Sequence, residues 1–573
     1  MDKVSKKNQM NKKINLLRKK FKKYDIDGYI VSKNDDYFTE YSKINRLEII
    51  SNFTGSAGLA IILKDKNYLF TDGRYTIQSQ IESGKDFKII NYDKIIDFDL
   101  VKNLTLGIDP KLFTYEQIEK FFIKNNKIKF INNNLIDEIK SKKIKDNFKF
   151  FSLNKEIVGE NSKSKINKIA KYLKKNKSDY LFVSAPENVA WILNIRGGDG
   201  PNSPVPNSRL IINKTKKIFL ISKIHKTKKL IKDKIIKSKE VIDIKNFNQE
   251  ILKLNGKNFI IDSKSCSIFY EDIIKSKFKI VKREDPTYLF KSVKNKTEIN
   301  NTINSHIIDG VALTKFIYWI KNINKKKITE VEAQNKLEKF RKMNKNYLYP
   351  SFDTIAGSGE NGAIVHYRAK KENCRTINKT DIFLCDSGGQ YKYGTTDVTR
   401  TICFSKPKVH IKDIFTKVLK GHIAVANTDL KKDNTGKKID VRARKFLNKS
   451  NLDYAHGTGH GVGFFLNVHE GPQAITKTNS IKIKEGMILS NEPGYYQKGK
   501  FGIRIENLVF VKKNKNKLFF ENLTLAPIEK DLINHKLLSS KEKDYLFKYH
   551  LDVYSKISKF LNPNERKWLA SYI

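Results

Sequence analysis

Three of the ten histidines fall in one short glycine-rich stretch, HGTGHGVGFFLNVHEGP, which runs from His456 to Pro472. Its first two histidines, His456 and His460, alternate with glycines at 457, 459, 461 and 463. Glycines let a backbone approach a ligand closely and adopt conformations closed to other residues. Imidazoles bind metals and transfer protons near neutral pH. A lone histidine is more often a packing residue, but this pattern predicts a catalytic or metal-binding segment.

Two aspartates in another part of the chain could share a site with these histidines. Asp386 lies near the end of the predicted strand DIFLCDSGGQY (381–391), and Asp397 lies on a second predicted strand, TTDVTRTICF (395–404). A strand pair joined by a short turn brings facing residues within about 5 Å. Two carboxylates that close would not both ionise without a cation between them. The alternative is a pair of solvated aspartates at strand ends.

Two glutamates follow the histidine-rich stretch. Glu492 precedes a Pro-Gly turn signal, and Glu506 interrupts the apolar strand GIRIENLVFV (502–511). A carboxylate in so apolar a strand needs a partner such as a cation. Arg504, two residues before Glu506, should point to the same face and could offset part of the charge.

The combined set contains oxygen and nitrogen ligands and no thiolate. Hard oxygen ligands with one imidazole suit Mn²⁺, and also Co²⁺, Fe²⁺ or Zn²⁺, better than a structural zinc site, which prefers Cys. Five groups are too many for one tetrahedral ion but fit two ions that share bridging carboxylates. Paired ions lie about 3.5–4 Å apart and activate water for hydrolysis. The predicted metal ligands are Asp386, Asp397, His460, Glu492 and Glu506.

The first half of the chain must support this site with alternating strands and helices. DGYIVS (27–32) and DYLFVS (179–184) each follow a predicted basic helix and precede a predicted hairpin. This weak internal sequence similarity indicates a duplicated α/β unit. We therefore expect two N-terminal α/β domains, at residues 1–150 and 151–288.

The second half carries the predicted ligands. A long predicted helix over 291–320 opens it, so we place the catalytic domain at 289–529. The remaining segment, 530–573, predicts two helices, around 545–561 and 564–572. A chain of 573 residues is too long for one core, and this four-part division fits that length.

The net charge of +51 raises nucleic acid as a partner. The positive residues are mostly Lys, spread along the whole chain among Asn and Ile, and Arg, which makes bidentate phosphate and base contacts, is scarce. Compositional bias explains this charge better than nucleic-acid binding, which stays the less favoured alternative.

Other compositional features point to the cytoplasm. No run approaches the roughly 18 apolar residues that a membrane span needs, and the N-terminus lacks the apolar core of a secretory signal. The four cysteines, Cys266, Cys374, Cys385 and Cys403, show no paired spacing typical of a zinc knuckle or a disulfide framework. We therefore predict a cytoplasmic protein with reduced thiols and no membrane association.

These motifs resemble those of the pita-bread metallopeptidases, a family that includes methionine aminopeptidase, prolidase, creatinase and aminopeptidase P. The similarity is greatest to the long, three-domain, cytosolic aminopeptidase P branch. It rests on NFTGSAGLAII, TDGRY, WILNIRG, KSVKNKTEI, SFDTIAGSGENGAIVHY, DSGGQYKYGTTDVTRT, VLKGHIAV, HGTGHGVGFFLNVHEGPQ, NEPGYY, FGIRIEN and LTLAPI. The resemblance implies two creatinase-like α/β domains followed by an α+β pita-bread catalytic domain. It also implies a homodimer to which the C-terminal extension contributes.

The resemblance also implies a role for each site residue. Asp386 would bind one ion through both oxygens, and Asp397 and Glu506 would bridge two ions. His460 and Glu492 would complete the coordination of the second ion, and Glu492 would also act as a proton shuttle. The residues implied to hold the substrate and stabilise the tetrahedral intermediate are His366, His456, His469 and Arg504.

The implied reaction is release of the N-terminal residue from peptides with proline in the second position, through attack by a metal-bridging hydroxide. Prolidase, which accepts only Xaa-Pro dipeptides, is the nearest alternative, and the long N-terminal half and the YHLDVY tail favour the aminopeptidase. Creatinase keeps the fold without metal, and some members have become metal-free binding proteins. The intact ligand set argues against both.

Overall fold

Two α/β modules make up the first unit of the chain, Met1–Thr287. The computed structural model describes residues 3–95, 101–121, 126–139, 148–323 and 327–573. The strands of the first module are β1 (Gly28–Ser32), β2 (Leu59–Leu63), β3 (Asn67–Thr71), β4 (Lys88–Asn91), β5 (Thr105–Ile108) and β6 (Lys127–Phe130). Its helices are α1 (Lys3–Tyr24), α2 (Arg46–Ser51), α3 (Thr76–Ser83), α4 (Tyr115–Phe121) and α5 (Leu135–Ile139).

The second module repeats this alternation. Its strands are β7 (Phe151–Ser152), β8 (Tyr180–Val183), β9 (Ile195–Arg196), β10 (Arg209–Asn213), β11 (Ile218–Ser222), β12 (Val241–Asp243), β13 (Asn258–Ile261) and β14 (Lys279–Lys282). Its helices are α6 (Lys155–Val158), α7 (Ser162–Lys175), α8 (Pro186–Leu193), α9 (Ile224–Lys232), α10 (Phe247–Lys253) and α11 (Ile268–Lys275).

The two modules have the same sheet topology. Their strand orders are β4-β3-β2-β1-β5-β6 and β12-β11-β10-β8-β13-β14. In each, the first long strand pairs antiparallel with a hairpin on one side and parallel with a later strand on the other. The predicted duplication of an α/β unit is therefore confirmed, and DGYIVS and DYLFVS supply the corresponding central strands.

Apolar side chains at helical spacing explain why the chain begins with a helix. Met10, Ile14, Leu17 and Phe21 lie on one face of α1 and are all buried. Lysines in its last turn complement the negative end of the helix dipole. The basic helix predicted before DGYIVS is therefore confirmed, and it runs over Lys3–Tyr24.

The second unit of the chain, Tyr288–Ile573, contains the predicted ligands. The helices from Thr287 onward are α12 (Thr287–Ser292), α13 (Lys296–Asn322), α14 (Glu330–Lys342), α15 (Val409–Ala426), α16 (Gly436–Asn448), α17 (Ser540–Ile557) and α18 (Pro563–Ala570). The strands are β15 (Tyr347–Pro350), β16 (Ile355–Ser358), β17 (Ile382–Ser387), β18 (Gly389–Tyr391), β19 (Gly394–Thr395), β20 (Val398–Cys403), β21 (Gly459–Gly461), β22 (Glu470–Ile475), β23 (Ile488–Asn491), β24 (Gly494–Gln497), β25 (Phe501–Arg504), β26 (Asn507–Asn514) and β27 (Lys517–Asn522).

Four small sheets carry the site. Their orders are β15-β18-β19, β16-β17-β20, β22-β21-β23-β26-β27 and β24-β25. The long helix α13 starts at a capping box in which the Asn295 side chain accepts from the backbone N–H of Glu298 at 3.0 Å. This mixture of helices and antiparallel strands confirms the predicted α+β domain. The finer division at residues 150 and 529 stays a prediction.

The C-terminal extension packs into the core of the second unit. Leu546 and Val553 of α17 share a buried apolar cluster with Ile503 of β25 and Phe415 of α15. The two predicted C-terminal helices are therefore confirmed, with α17 starting five residues earlier than expected. This packing places the extension directly behind the strand that carries Arg504.

Two further predictions from composition concern thiols and membranes. All four cysteines are free, and three of them are buried. Within the described ranges, no helix combines the length and the apolar character of a membrane span.

Replacing Arg341 by Met should strongly destabilise the second unit. The Arg341 Nε donates to Asp309 at 2.7 Å, and both groups are buried. Removing one partner of a buried pair costs about 3–5 kcal/mol, which is a fall of roughly 10 °C in Tm for a unit of this size. Thermal unfolding of the metal-free protein measures the shift. Lys548→Met, which breaks an exposed pair with Asp544, should change stability by no more than about 0.5 kcal/mol.

The buried His550 should make stability depend on pH. Its Nε2 accepts the N–H of Ile528 at 3.1 Å, and burial lowers its pKa to about 4. The unfolded state, with a pKa near 6.5, binds the proton first as pH falls. Stability is therefore full above pH 6.5 and declines toward pH 4, by up to about 3 kcal/mol. Denaturation at several pH values should show a flatter profile for His550→Gln, and an unchanged slope would contradict the assignment.

Candidate metal centre

Asp386 and Asp397 come together where two antiparallel strands meet. Asp386 lies on β17 opposite Thr399 of β20. Asp397 was predicted on the second strand, but it lies one residue before β20 begins, in the short connection after β19. The turn between the strands also contains β18 and β19, because the chain forms a second small sheet there before returning. Both aspartates are buried, at 8% and 4% exposed.

Glu506 also lies at a break between strands. It was predicted inside one continuous strand, but residues 505 and 506 separate β25 from β26. Thr399 holds this break from the facing sheet: its carbonyl accepts the Glu506 N–H at 3.2 Å, and its hydroxyl donates to the carboxylate at 2.8 Å. The break turns the Glu506 carboxylate toward the aspartates of the neighbouring sheet.

The glycines around His460 serve close approach between strands. A Cβ at Gly459 would lie 2.0 Å from the carbonyl of Ser490, and one at Gly461 would lie 2.3 Å from the carbonyl of Glu470. The predicted unusual backbone conformations are wrong here, because none of the four glycines of HGTGHGVG has φ in the left-handed range. Tight packing of β21 against β22 and β23 is what excludes side chains at these positions.

His460 presents its Nε2 atom to two carboxylates. Its Nδ1 lies 2.9 Å from the carbonyl of Gly461, which can only accept, so Nδ1 carries the proton. Nε2 is then the nitrogen left to bind a metal ion, and it faces Asp397 and Glu492 at 3.5 Å each. A cation shared by these groups would offset the repulsion between the two carboxylates. A backbone carbonyl that fixes the imidazole in this way is typical of metal-ligating histidines.

Atoms of three predicted ligands converge in one place. One atom each from Asp397, His460 and Glu506 lies within 4.8 Å of the other two. Asp386 Oδ2 accepts from Arg504 at 2.6 Å, and its buried Oδ1 has no hydrogen-bond partner. A buried oxygen without a donor is costly, and a metal ion at this position would satisfy it.

Electrostatics in this cluster favour added positive charge. Burial, and then the neighbouring carboxylates, raise the pKa values of Asp397 and Glu506 well above their usual range. Burial also raises the pKa of Asp386, although Arg504 opposes it. For Glu492, burial acts in the same direction, but the nearby imidazoles and Arg504 outweigh it and lower the pKa. One guanidinium does not balance four carboxylates, and divalent metal ions would supply the missing positive charge.

A hydrogen-bond chain links Arg504 to His456. Arg504 donates to the hydroxyl of Tyr496 at 2.5 Å, and this hydroxyl lies 2.8 Å from Nε2 of His456. Because His456 Nδ1 lies 2.7 Å from the Gly457 carbonyl, Nε2 accepts from Tyr496. Burial lowers the pKa of His456 to about 4, so the ring is neutral. Tyr496 was missed in the sequence analysis, although it lies in the same SNEPGYY motif as Glu492.

The remaining predicted residues lie around this cluster. The ring of His469 is exposed, and its centroid lies 4.2 Å from that of His460. His366 is half-buried, and the carbonyl of its neighbour Val365 accepts from Arg504 at 3.4 Å. The side chains of His460 and Glu492 are each 18% exposed, so solvent reaches the cluster from their side.

A second group of potential ligands has a different explanation. Cys403, Glu529 and Asp531 lie close enough to hold an ion. The ammonium group of Lys321, however, donates to Glu529 at 2.6 Å and to Asp531 at 3.0 Å. Burial also raises the pKa of Cys403 to about 12, which disfavours the thiolate that binds metals. This group is therefore an ion-pair cluster.

A metal-dependent hydrolase built on a pita-bread domain is the class of protein that this fold and site define. Residues 301–513 match metallopeptidase family M24, and 516–572 match the C-terminal region of that family. Residues 13–138 and 145–298 each match a creatinase/prolidase N-terminal domain.

Similar proteins extend this match over nearly the whole chain. A probable Xaa-Pro aminopeptidase P of Laccaria bicolor is 36% identical over 96% of this chain and 91% of its own. The structure of an X-prolyl aminopeptidase of Caenorhabditis elegans, described as a cytosolic enzyme with a di-nuclear active site, superposes with a TM-score of 0.90 at 28% identity. It covers 98% of this chain and 99% of its own. The chain therefore belongs to metallopeptidase family M24.

A prolidase structure gives a more limited match. The prolidase of Pyrococcus horikoshii is 26% identical, with a TM-score of 0.51. The superposition covers 99% of that prolidase but only 64% of this chain. The match to the prolidase therefore covers much less of this chain than the two matches described above.

Proposed function

We propose that this protein releases the N-terminal residue from peptides with proline in the second position, using two divalent metal ions. The observation that carries the proposal is the convergence of His460 Nε2 with the carboxylates of Asp397, Glu492 and Glu506. The names of the full-length relatives support the proline requirement.

The residues of the cluster fit such a pair of ions. Asp386, with one free buried oxygen, would hold one ion, and Asp397 and Glu506 would hold both. His460 and Glu492 would complete the coordination of the second ion. When bound, the ions supply Lewis-acid polarisation of the scissile carbonyl and activation of water at neutral pH.

The surrounding side chains orient substrate and move protons. Glu492, whose pKa is lowered, is ionised at neutral pH and accepts a proton from the attacking water. It then delivers this proton to the leaving nitrogen of proline. His469 and His366, at the exposed side of the cluster, donate to the oxygen that becomes negatively charged.

Arg504 and Tyr496 hold this arrangement in place. Arg504 fixes one oxygen of Asp386, and the hydroxyl of Tyr496 fixes both Arg504 and His456. His456 is half-buried at the edge of the cluster, where it orients Tyr496 and contacts the bound peptide. This chain of contacts keeps the free oxygen of Asp386 directed toward the metal position.

Cleavage of a tripeptide and a dipeptide distinguishes this function from that of a prolidase. The protein is stripped with a chelator, reloaded with Mn²⁺ and incubated with Arg-Pro-Pro and with Gly-Pro. We expect release of Arg from the tripeptide, loss of this activity with chelator and recovery with Mn²⁺. Cleavage of Gly-Pro alone would support prolidase, and activity that survives complete metal removal would exclude the proposal.

A matched peptide tests the requirement for proline. Arg-Ala-Pro differs from Arg-Pro-Pro only at the second residue, and its secondary amide keeps the N–H that proline lacks. We expect little or no release of Arg from it. Parallel reloading with Co²⁺ and Zn²⁺ tests the preference for Mn²⁺, which the oxygen-rich ligand set supports.

We place the enzyme in the cytosol as a homodimer. The cytosolic Caenorhabditis relative and the four free cysteines support the location. Phe547 and Leu551, one turn apart on α17, are 48% and 45% exposed, which supports a subunit contact through the C-terminal extension. Sedimentation at micromolar concentration should give a dimer, and a monomer would exclude this arrangement.

A further inference from the structure

Arg400 carries a buried guanidinium group, which lies directly behind the carboxylate cluster of the candidate metal centre. It is 2% exposed, and its five N–H groups lie within hydrogen-bond distance, 3.0 Å or less, of six acceptors, so that Nη2 shares its two hydrogens among three of them. The acceptors are the carbonyls of Thr399, Glu506, Ala526 and Pro527, the side-chain amide of Asn507 and the hydroxyl of Tyr549. All six are neutral, and no carboxylate of the described residues lies within ion-pair distance of it.

Two of these contacts fix the backbone of a metal ligand. Arg400 Nη1 donates to the carbonyl of Glu506 at 2.7 Å and to that of Thr399 at 2.8 Å. Thr399 in turn contacts Glu506 through its carbonyl and its hydroxyl. The backbone of Glu506 is therefore held on both sides, at the break between β25 and β26 where no sheet ladder would hold it.

Other contacts of Arg400 reach the C-terminal extension. Its Nη2 donates to the hydroxyl of Tyr549 on α17 at 2.9 Å, and this hydroxyl donates to the carbonyl of Ala526 at 2.8 Å. Arg400 donates to the same carbonyl at 2.9 Å and to that of Pro527 at 3.0 Å. One planar group thus joins α17 and the segment before it to Glu506.

The positive charge of Arg400 is unfavourable at this position. A buried cation without an acidic partner is costly, and neutral acceptors compensate only part of that cost. Burial lowers the pKa of Arg400, while Tyr549 and, after it, Glu506 oppose that shift. The directed hydrogen bonds of the guanidinium, rather than its charge, are therefore the feature to explain.

We propose that Arg400 is a positioning residue for the metal ligand Glu506, and that through it α17 supports metal binding. This inference rests on the proposed dinuclear function. Only a guanidinium presents a rigid fork of donors, so Lys, with one ammonium group, cannot reach Glu506, Pro527 and Asn507 together. Arg400→Lys keeps the charge and removes the geometry. Tyr549→Phe keeps the packing and removes one acceptor.

Cobalt binding tests this inference independently of turnover. Full-length wild-type, Arg400→Lys and Tyr549→Phe proteins are stripped and titrated with Co²⁺, and visible absorption reports the affinity and the coordination. We expect Arg400→Lys to lower the affinity for at least one Co²⁺ ion by about 10–100-fold and to change the visible absorption band. Tyr549→Phe should weaken binding by about tenfold or less, as expected for a more distant contact.

Tyr572→Phe is the matched control, because it removes a tyrosine hydroxyl from the same C-terminal segment without touching Arg400. Its Co²⁺ affinity and spectrum should equal those of wild type. A folded Arg400→Lys protein with unchanged affinity and spectrum would overturn the inference. If that variant does not fold, Tyr549→Phe with wild-type binding would overturn it. Failure of wild type itself to bind Co²⁺ would instead reject the proposed function.

Discussion

Asp397→Asn should abolish turnover while leaving the metal-free protein at least as stable as wild type. Asn matches Asp in size but is neutral, so it cannot hold two cations in the bridging role proposed for Asp397. Lewis-acid catalysis by bound metal contributes several kcal/mol, and we therefore expect kcat/KM to fall by about 10³-fold or more. Hydrolysis of Arg-Pro-Pro under saturating Mn²⁺ measures this loss.

The stability part of this prediction follows from the carboxylate cluster. Burial and the neighbouring carboxylates raise the pKa of Asp397, so its ionised form is costly in the folded protein. A neutral amide removes that cost. Wild type should gain about 2.7 kcal/mol of stability at a metal concentration of 100 times Kd, and the variant should lose most of this gain. Asp544→Asn, an exposed substitution on α17, should change neither property. Wild-type turnover in Asp397→Asn would refute the bridging role.

Local patterns predicted much of the fold because the signals were strong. Continuous apolar runs identified the central strands β1 and β8, and helical spacing identified α1 and α13. Both N-terminal sheets could be anticipated because the chain repeats the same local order. The exact ends of elements were less predictable, because tertiary contacts decide whether a terminal turn forms.

The candidate ligands could be predicted because charged groups in apolar segments are costly without a partner. Glu506 was conspicuous for that reason, and Asp386 because a second carboxylate, Asp397, was expected to face it. Their precise surroundings could not be predicted, since Thr399 and Arg400 act across strands that are distant in sequence. Neither residue is unusual within its own strand. Their function becomes visible only when Glu506, about a hundred residues later, lies against them.

The glycine-rich stretch shows a different limit of local patterns. Its composition correctly indicated a tightly packed segment but not the reason for it. Glycine provides either positive φ or close approach, and only the neighbouring strands decide which one is needed. Gly459 and Gly461 provide close approach, because backbone carbonyls of β22 and β23 lie where a Cβ would be.

His469→Ala should lower kcat by about 10²–10³-fold, as expected for a lost donor to a developing oxyanion, and leave the metal content unchanged. The exposed His469 lies beside His460 but is not among the converging ligand atoms. We therefore expect its imidazole to act on the substrate rather than to hold the ions. Mn²⁺ stoichiometry measured with single-turnover rates on Arg-Pro-Pro separates the two roles.

His410→Ala provides the matched control for this variant, because it removes an exposed histidine elsewhere in the second unit and should leave kcat unchanged. If His469→Ala loses metal but keeps the wild-type rate per bound ion pair, His469 supports the ions instead of the substrate. A lower rate at full metal occupancy, with KM nearly unchanged, is what we expect from a group that contacts the substrate mainly in the transition state. The two outcomes differ because metal loss reduces the number of active molecules, whereas loss of a transition-state contact slows each one.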